Sequence, residues 1–208
     1  MQLTLNGLGK RYNRRWIFRD ISIDIPSGSR LGITGHNGSG KSTLLKVMSG
    51  ALPASAGTVE YSGAQGVIAP DKVYRQLTYA APYTDLIEEL SLIQMLRFHA
   101  RFKPWRAGFE EGEILRLLGK RFGPGAIISS FSSGMKQRLR LVLAVASESD
   151  LICLDEPTSN LDEEGKHWYS ALLERIAPGE TVLIASNESF DMQTCDTYLN
   201  VEDYSGLK

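Results

Sequence analysis

The nine residues GHNGSGKST, Gly35 to Thr43, limit the fold more than any other part of the chain. Gly35, Gly40, Lys41 and Ser42 satisfy G-x-x-x-x-G-K-[ST], between a short apolar run, RLGI, and a helix-like run, LLKVM. A loop that turns its amide N–H groups inward around a phosphate needs close approach and φ angles that side chains obstruct, hence Gly35, Gly38 and Gly40. The helix starting near Ser42 adds its positive end and Lys41 reaches the β and γ phosphates; the Ser42 hydroxyl is placed to ligate Mg²⁺. His36, Asn37 and Ser39 fill the variable positions, and with Thr43 they are expected to share in gripping the nucleotide along Gly35 to Thr43.

Around this segment the chain reads as α/β. Leu3 and Leu5, then Ile21, Ile23 and Ile25, alternate with polar neighbours and predict an N-terminal antiparallel β region. TVEYSG and QLTYAAP predict further short strands. From Asp85 to about Ser147 the pattern turns helical. Ser91 and Gln94 have the spacing of a capping box, and an apolar stripe through Leu92, Met95 and Leu96 is expected to run on to Phe98 and Phe102. Ile114, Leu115, Leu117 and Leu118 mark a second helix and SGMKQRLRLVLAVA a third. LICLDEP and TVLIAS are buried-strand runs on either side of a helix from about Glu163, and TYLNVE is a weaker strand.

Mg²⁺ bridging phosphate oxygens needs a hard oxygen partner at the end of a neighbouring buried strand, and LICLDE supplies it. Asp155 is the metal-side candidate, and Glu156 is placed to polarise an attacking water. The 23 basic and 24 acidic side chains leave no global field for charge-driven nucleic-acid binding, and no nucleic-acid partner is expected. No apolar run has the length of a membrane span and the N-terminus lacks a signal-peptide core, so a cytoplasmic location is expected. Cys153 and Cys195 match no metal-ligand spacing, and Cys153, in LICL, reads as an apolar filler.

FSSGMKQR, Phe131 to Arg138, followed by LDEP and then SNLD, resembles the nucleotide-binding domain of an ABC transporter ATPase across almost the whole chain. The resemblance implies a P-loop, RecA-like core with an N-terminal antiparallel β-subdomain in residues 1–84 and 148–208, and a helical subdomain inserted over about 85–147. It implies ATP and Mg²⁺ as ligands. It also implies a homodimer in which Ser132, Ser133 and Gly134 of one copy bind the γ-phosphate held by the other. Tyr12 resembles the aromatic that stacks on adenine, with Trp16 as its rival, and Ser159, Asn160, Leu161 and Asp162 match the loop joining the two ATP sites. The further partner implied is a separate transmembrane permease, with Tyr79 to Leu90 helping to receive its coupling helix and the chain peripheral to the inner face of the cell membrane.

Two positions depart from that family's pattern. The position of the γ-phosphate-sensing glutamine falls on Pro82, which offers no side-chain amide, with Gln76 or Thr84 as alternative polar groups. That of the switch histidine falls on Asn187, which donates a hydrogen bond but does not titrate. Binding with slow hydrolysis follows as an expectation, with Lys41, Glu156 and Asn187 as the catalytic set. Two other readings are a soluble ABC ATPase without a permease, which the lack of a basic extension disfavours, and a nucleotide-dependent switch, which Glu156 disfavours.

Overall fold

The computed structural model describes residues 1–205. It divides into two compact units, Met1–Leu77 with Ser149–Glu156 and the chain from Ala177, and Thr78–Glu148 with Pro157–Ile176. Residues 157–176, which follow directly on a core strand, thus group with the helical segment.

The first unit holds two sheets. Strands β1 (Gln2–Tyr12) and β2 (Arg15–Ile25) form a long hairpin turning at Asn13, which takes a left-handed φ of 54°. Leu3 pairs with Ile25, Leu5 with Ile23 and Leu8 with Ile21, and irregular register between those pairs breaks the simple alternation. Strand β3 (Arg30–Thr34) leads through the glycine loop to helix α1 (Lys41–Met48). Strands β4 (Ala56–Gly63) and β5 (Gly66–Ile68) complete an antiparallel sheet of order β2-β1-β4-β5.

Strand β6 (Leu77–Ala80) carries the chain into the second unit, where helices α2 (Leu92–Ala100), α3 (Glu111–Leu118) and α4 (Ser133–Ala146) follow. Strand β7 (Leu151–Asp155) belongs to the first unit, helix α5 (Glu163–Leu173) to the second. Strand β8 (Thr181–Ala185), the short helix α6 (Ser189–Met192) and strand β9 (Thr197–Asn200) return to the first.

Within the first unit the parallel strands lie in the order β7-β8-β3-β9. Every residue of β7 and β8 is buried, as continuous apolar strands covered on both faces require. Ala185 pairs with both Asp155 and Ile33, so β3, β7 and β8 end at one level. In such sheets ligands bind beyond the carboxyl ends of the strands. The Cys153 thiol, wholly buried in β7, is pushed up by desolvation and held neutral.

In the second unit α2 starts with the expected capping box: the Ser91 N–H donates to Gln94 Oε1 at 2.9 Å and the Gln94 N–H to Ser91 Oγ at 3.4 Å. Its apolar stripe does not run to Phe98 and Phe102, which are 40% and 71% exposed and lean on each other. At 100° per residue Leu92, Leu96 and Met95 share their face with His99 instead, and Phe102 lies beyond the helix end. His99 stacks on Trp105, and its Nε2 lies 2.7 Å from Ser147 Oγ. Ser147 spends its hydroxyl proton on Leu143 O, so Nε2 carries the imidazole proton as donor.

Burial, reinforced by the Lys103 cation, lowers the His99 pKa to about 4. Between pH 6.5 and 4 the unfolded chain therefore binds a proton that the folded chain refuses. The His99 contribution to stability is full above pH 6.5 and is lost on acidification toward pH 4, up to about 3 kcal/mol in all. Denaturant melts of wild type and His99→Gln across this range are expected to converge as the pH falls.

Candidate functional site

The glycine loop is shaped by positive φ at Gly35 (140°), Gly38 (84°) and Gly40 (109°). A Cβ at Gly40 would meet Ile17 Cγ2 at 2.4 Å and one at Gly35 would meet Ser39 Oγ at 2.5 Å, so two of the three glycines also answer a steric demand. Gly38, by contrast, has open space. Lys41, the first residue of α1, is nearly buried and folds back over the loop, with Nζ 2.9 Å from Gly35 O and 3.3 Å from His36 O. A buried ammonium resting on two carbonyls has given up much of its hydration and is ready to exchange one neutral acceptor for an anionic one.

Two carboxylates face it from the end of β7. Asp155 is wholly buried and its Oδ1 accepts from Ser42 Oγ at 2.9 Å. Glu156 turns out of the strand at φ 45°, its N–H donating to Ala185 O at 2.7 Å, and its Oε1 lies 3.5 Å from Lys41 Nζ. Such left-handed backbone is costly at a non-glycine residue, and here the bond to Ala185 holds it in place. Ser186, just past β8, donates from Oγ to Glu156 Oε2 at 3.1 Å, and Asn187 follows it exposed at the same rim.

Together these residues fit a magnesium-bound triphosphate. Ser39 Oγ is buried without a hydrogen-bond partner among the described residues, the loop leaves no room for side chains at Gly35 and Gly40, and Ser42 with Asp155 forms a hard oxygen donor pair.

Beside the loop lies a small open cavity, lined by Arg15, Trp16 and Ile17 from β2, His36 and Ser39 from the loop, and Glu202 from the turn after β9. Trp16 lines it and Tyr12 does not: Tyr12, half exposed at the hairpin end, sits under the Lys10 ammonium. Glu202 Oε1 accepts from both the His36 N–H and its Nδ1–H, each at 2.6 Å. These two bonds hold the Glu202 carboxyl below the ordinary carboxylate range. Asn37 is exposed at the loop tip, and Thr43 is half-buried in α1.

The second unit carries the other group of expected residues. Ser132 caps α4, its Oγ accepting from the Met135 N–H at 3.2 Å, and the amides of Ser133 and Gly134 open the helix. A Cβ at Gly134 would meet Asn160 O at 2.8 Å, so glycine permits α4 to close on the 159–162 loop. Asp162 Oδ1 caps α5 at Gly165 N, and Arg138 lies over the Trp168 ring, 3.5 Å from Asp162. Pro82 is half-buried in the loop after β6, and the adjoining turn is closed by Thr84 Oγ1 on Ala81. Ser186 and Glu202 were not singled out in sequence; only the hydroxyl next to Asn187 hinted at the first.

A strand, a glycine loop with its lysine, a hydroxyl and a buried acidic strand end define a P-loop nucleoside triphosphatase. A family model described as ABC transporter matches residues 18–159. The chain belongs to the ABC transporter family, as one of its ATPase subunits. It is 31% identical over 192 residues to the lantibiotic transport ATP-binding protein SrtF of Streptococcus pyogenes, covering 89% of this chain and 80% of that one. It is 26% identical over 204 residues to the cytochrome c biogenesis ATP-binding export protein CcmA of Mannheimia succiniciproducens, covering 98% and 95%. A solved ATP-binding subunit of an ABC transporter superposes with a TM-score of 0.77 at 27% identity, covering 96% of this chain and 85% of that one. The ATP-binding cassette MJ0796, in a dimeric post-hydrolysis state with ADP and Pi, has the same fold, with a TM-score of 0.79 at 20% identity over 96% and 95% of the two chains. Among the described residues no helix is long and apolar enough to cross a membrane.

Proposed function

We propose that two copies of this chain pair on Mg-ATP and drive a separate transmembrane permease from the cytoplasmic side. The observation that carries the reading is the shared rim of β3, β7 and β8, where Lys41 lies 3.5 Å from Glu156 and Ser42 2.9 Å from Asp155. In this reading the amides of residues 38–43 and Lys41 hold the β and γ phosphates, and Tyr12 or Trp16 carries the base. Ser42 and Asp155 would hold Mg²⁺, which when bound neutralises phosphate charge. Glu156, steadied by Ser186, orients water toward the γ-phosphorus and draws off its proton; the new P–O bond replaces the bond to the β-phosphate oxygen, and ADP and phosphate leave. Ser132, Ser133 and Gly134 of the second copy present an open helix end to the γ-phosphate. Exposed Tyr83 and Ile87, in the 79–90 segment, suit an apolar face of the permease.

Co-purification in detergent with a multi-spanning protein, together with ATP-dependent pairing of subunits, tests the assembly; a chain that stays monomeric under Mg-ATP and retains no membrane partner counts against it. Pro82 and Asn187 set the rate. Asn187→His is expected to raise steady-state ATPase by about tenfold, an interaction of about 1.4 kcal/mol gained only in the transition state. No gain, with a wild-type rate already matching that of histidine-bearing relatives, would remove Asn187 from the catalytic set.

A further inference from the structure

We infer that Glu202 is a specificity residue, the acceptor that reads a hydrogen-bond donor on the nucleoside end of the triphosphate, an assignment that rests on the proposed phosphate-binding role of the glycine loop. The cavity beside that loop brings together the Trp16 ring, the Ile17 side chain against Gly40, the Arg15 side chain and the Glu202 carboxylate. The guanidinium groups of Arg11 and Arg19 both lie over the Trp16 ring, at 5.5 and 5.6 Å.

The charge of Glu202 decides which part of a nucleotide faces it. A carboxylate only accepts, and phosphate oxygens only accept at neutral pH, so the two repel. The group opposite Glu202 must donate, and ATP offers two kinds of donor, its ribose hydroxyls and its exocyclic amine. Oε1 already takes both His36 bonds, at 2.6 Å each, and these aim the carboxylate while its other oxygen keeps its acceptor capacity. The same bonds tie the nucleoside pocket to the second residue of the phosphate loop. A base or ribose that satisfies Glu202 is thereby registered against the triphosphate site.

The test measures binding by calorimetry of Mg²⁺ complexes of ATP, 2′-deoxy-ATP, 3′-deoxy-ATP, inosine triphosphate and inorganic tripolyphosphate to the full chain, wild type and Glu202→Ala. Wild type is expected to bind ATP about tenfold or more tightly than the analogue lacking the donor that Glu202 reads. A weak deoxy analogue assigns a ribose hydroxyl; weak inosine triphosphate assigns the exocyclic amine. In Glu202→Ala the ATP affinity is expected to fall about tenfold and the preference to collapse, with tripolyphosphate affinity unchanged. Trp16→Ala should weaken all four nucleotides alike.

Equal binding of all four nucleotides by wild type would overturn the inference whether or not the variant folds. So would a preference that survives in Glu202→Ala, or an equal loss for ATP and tripolyphosphate, which would make Glu202 a brace for His36 alone. Failure of wild type to bind any of the five ligands would instead overturn the reading of the loop, and the inference with it.

Discussion

Glu156→Gln is expected to lower steady-state ATP hydrolysis by about 10²- to 10⁴-fold while leaving nucleotide binding intact or tighter. Glutamine keeps the shape of the side chain and an oxygen for the Ser186 hydroxyl, 3.1 Å away in the wild type. It loses the capacity to take a proton from water. It also removes the negative charge 3.5 Å from Lys41 Nζ, so this carboxylate no longer competes with the incoming phosphates for the ammonium. ATP should then accumulate unhydrolysed and hold two copies together. Size-exclusion chromatography with and without Mg-ATP reads the pairing, and release of phosphate reads the rate. A variant that hydrolyses at the wild-type rate would take Glu156 out of the role proposed for it. Wild type that already forms a permanent ATP-held dimer would favour a nucleotide switch over a motor.

What could be read in the sequence follows the span of the interactions. The glycine loop is local: Lys41 meets carbonyls only five and six residues back, so one short motif carries the geometry. The LDE strand end is legible for a related reason, since an acidic pair closing an apolar run has few structural explanations. Ser186 and Glu202 meet their partners 30 and 166 residues away, and apart from the place of Ser186 next to Asn187 nothing in their own neighbourhood announces them. The stripe of α2 misleads because hydrophobicity and angular position disagree there: Phe98 is the more apolar residue, but His99 is on the buried face. Alternation in β1 fades past Leu5 because register irregularities shift the side chains between faces. That residues 157–176 group with the helical unit is likewise a matter of long-range packing, against α4 above all: Gln137 Nε2 donates to Pro157 O at 2.9 Å, and Arg138 covers Trp168.

Lys41→Ala tests the loop where its charge is concentrated, and its effect should appear in binding before chemistry. The wild-type ammonium is 5% exposed and surrounded by two carbonyls and the Glu156 carboxylate, an arrangement that costs desolvation in the free protein and is compensated when phosphate arrives. Removing it should change the unfolding free energy of the nucleotide-free chain little, since the lost ion pair and the relieved desolvation oppose each other. Nucleotide affinity is expected to fall about 100-fold, the size of a buried charge-assisted contact of about 3 kcal/mol. Ligand-induced stabilisation makes the difference visible. At a concentration 100 times the wild-type Kd, Mg-ATP adds about 2.7 kcal/mol to wild type, whereas a variant bound 100-fold more weakly gains only about 0.4 kcal/mol. Thermal melts with and without Mg-ATP separate the two cases, and tripolyphosphate should behave in parallel because Lys41 acts on phosphate alone. Equal stabilisation of both proteins by Mg-ATP would mean that the glycine-loop amides and the start of α1 hold the nucleotide without Lys41. The rim of β3, β7 and β8 would then lose the cation on which its chemistry depends.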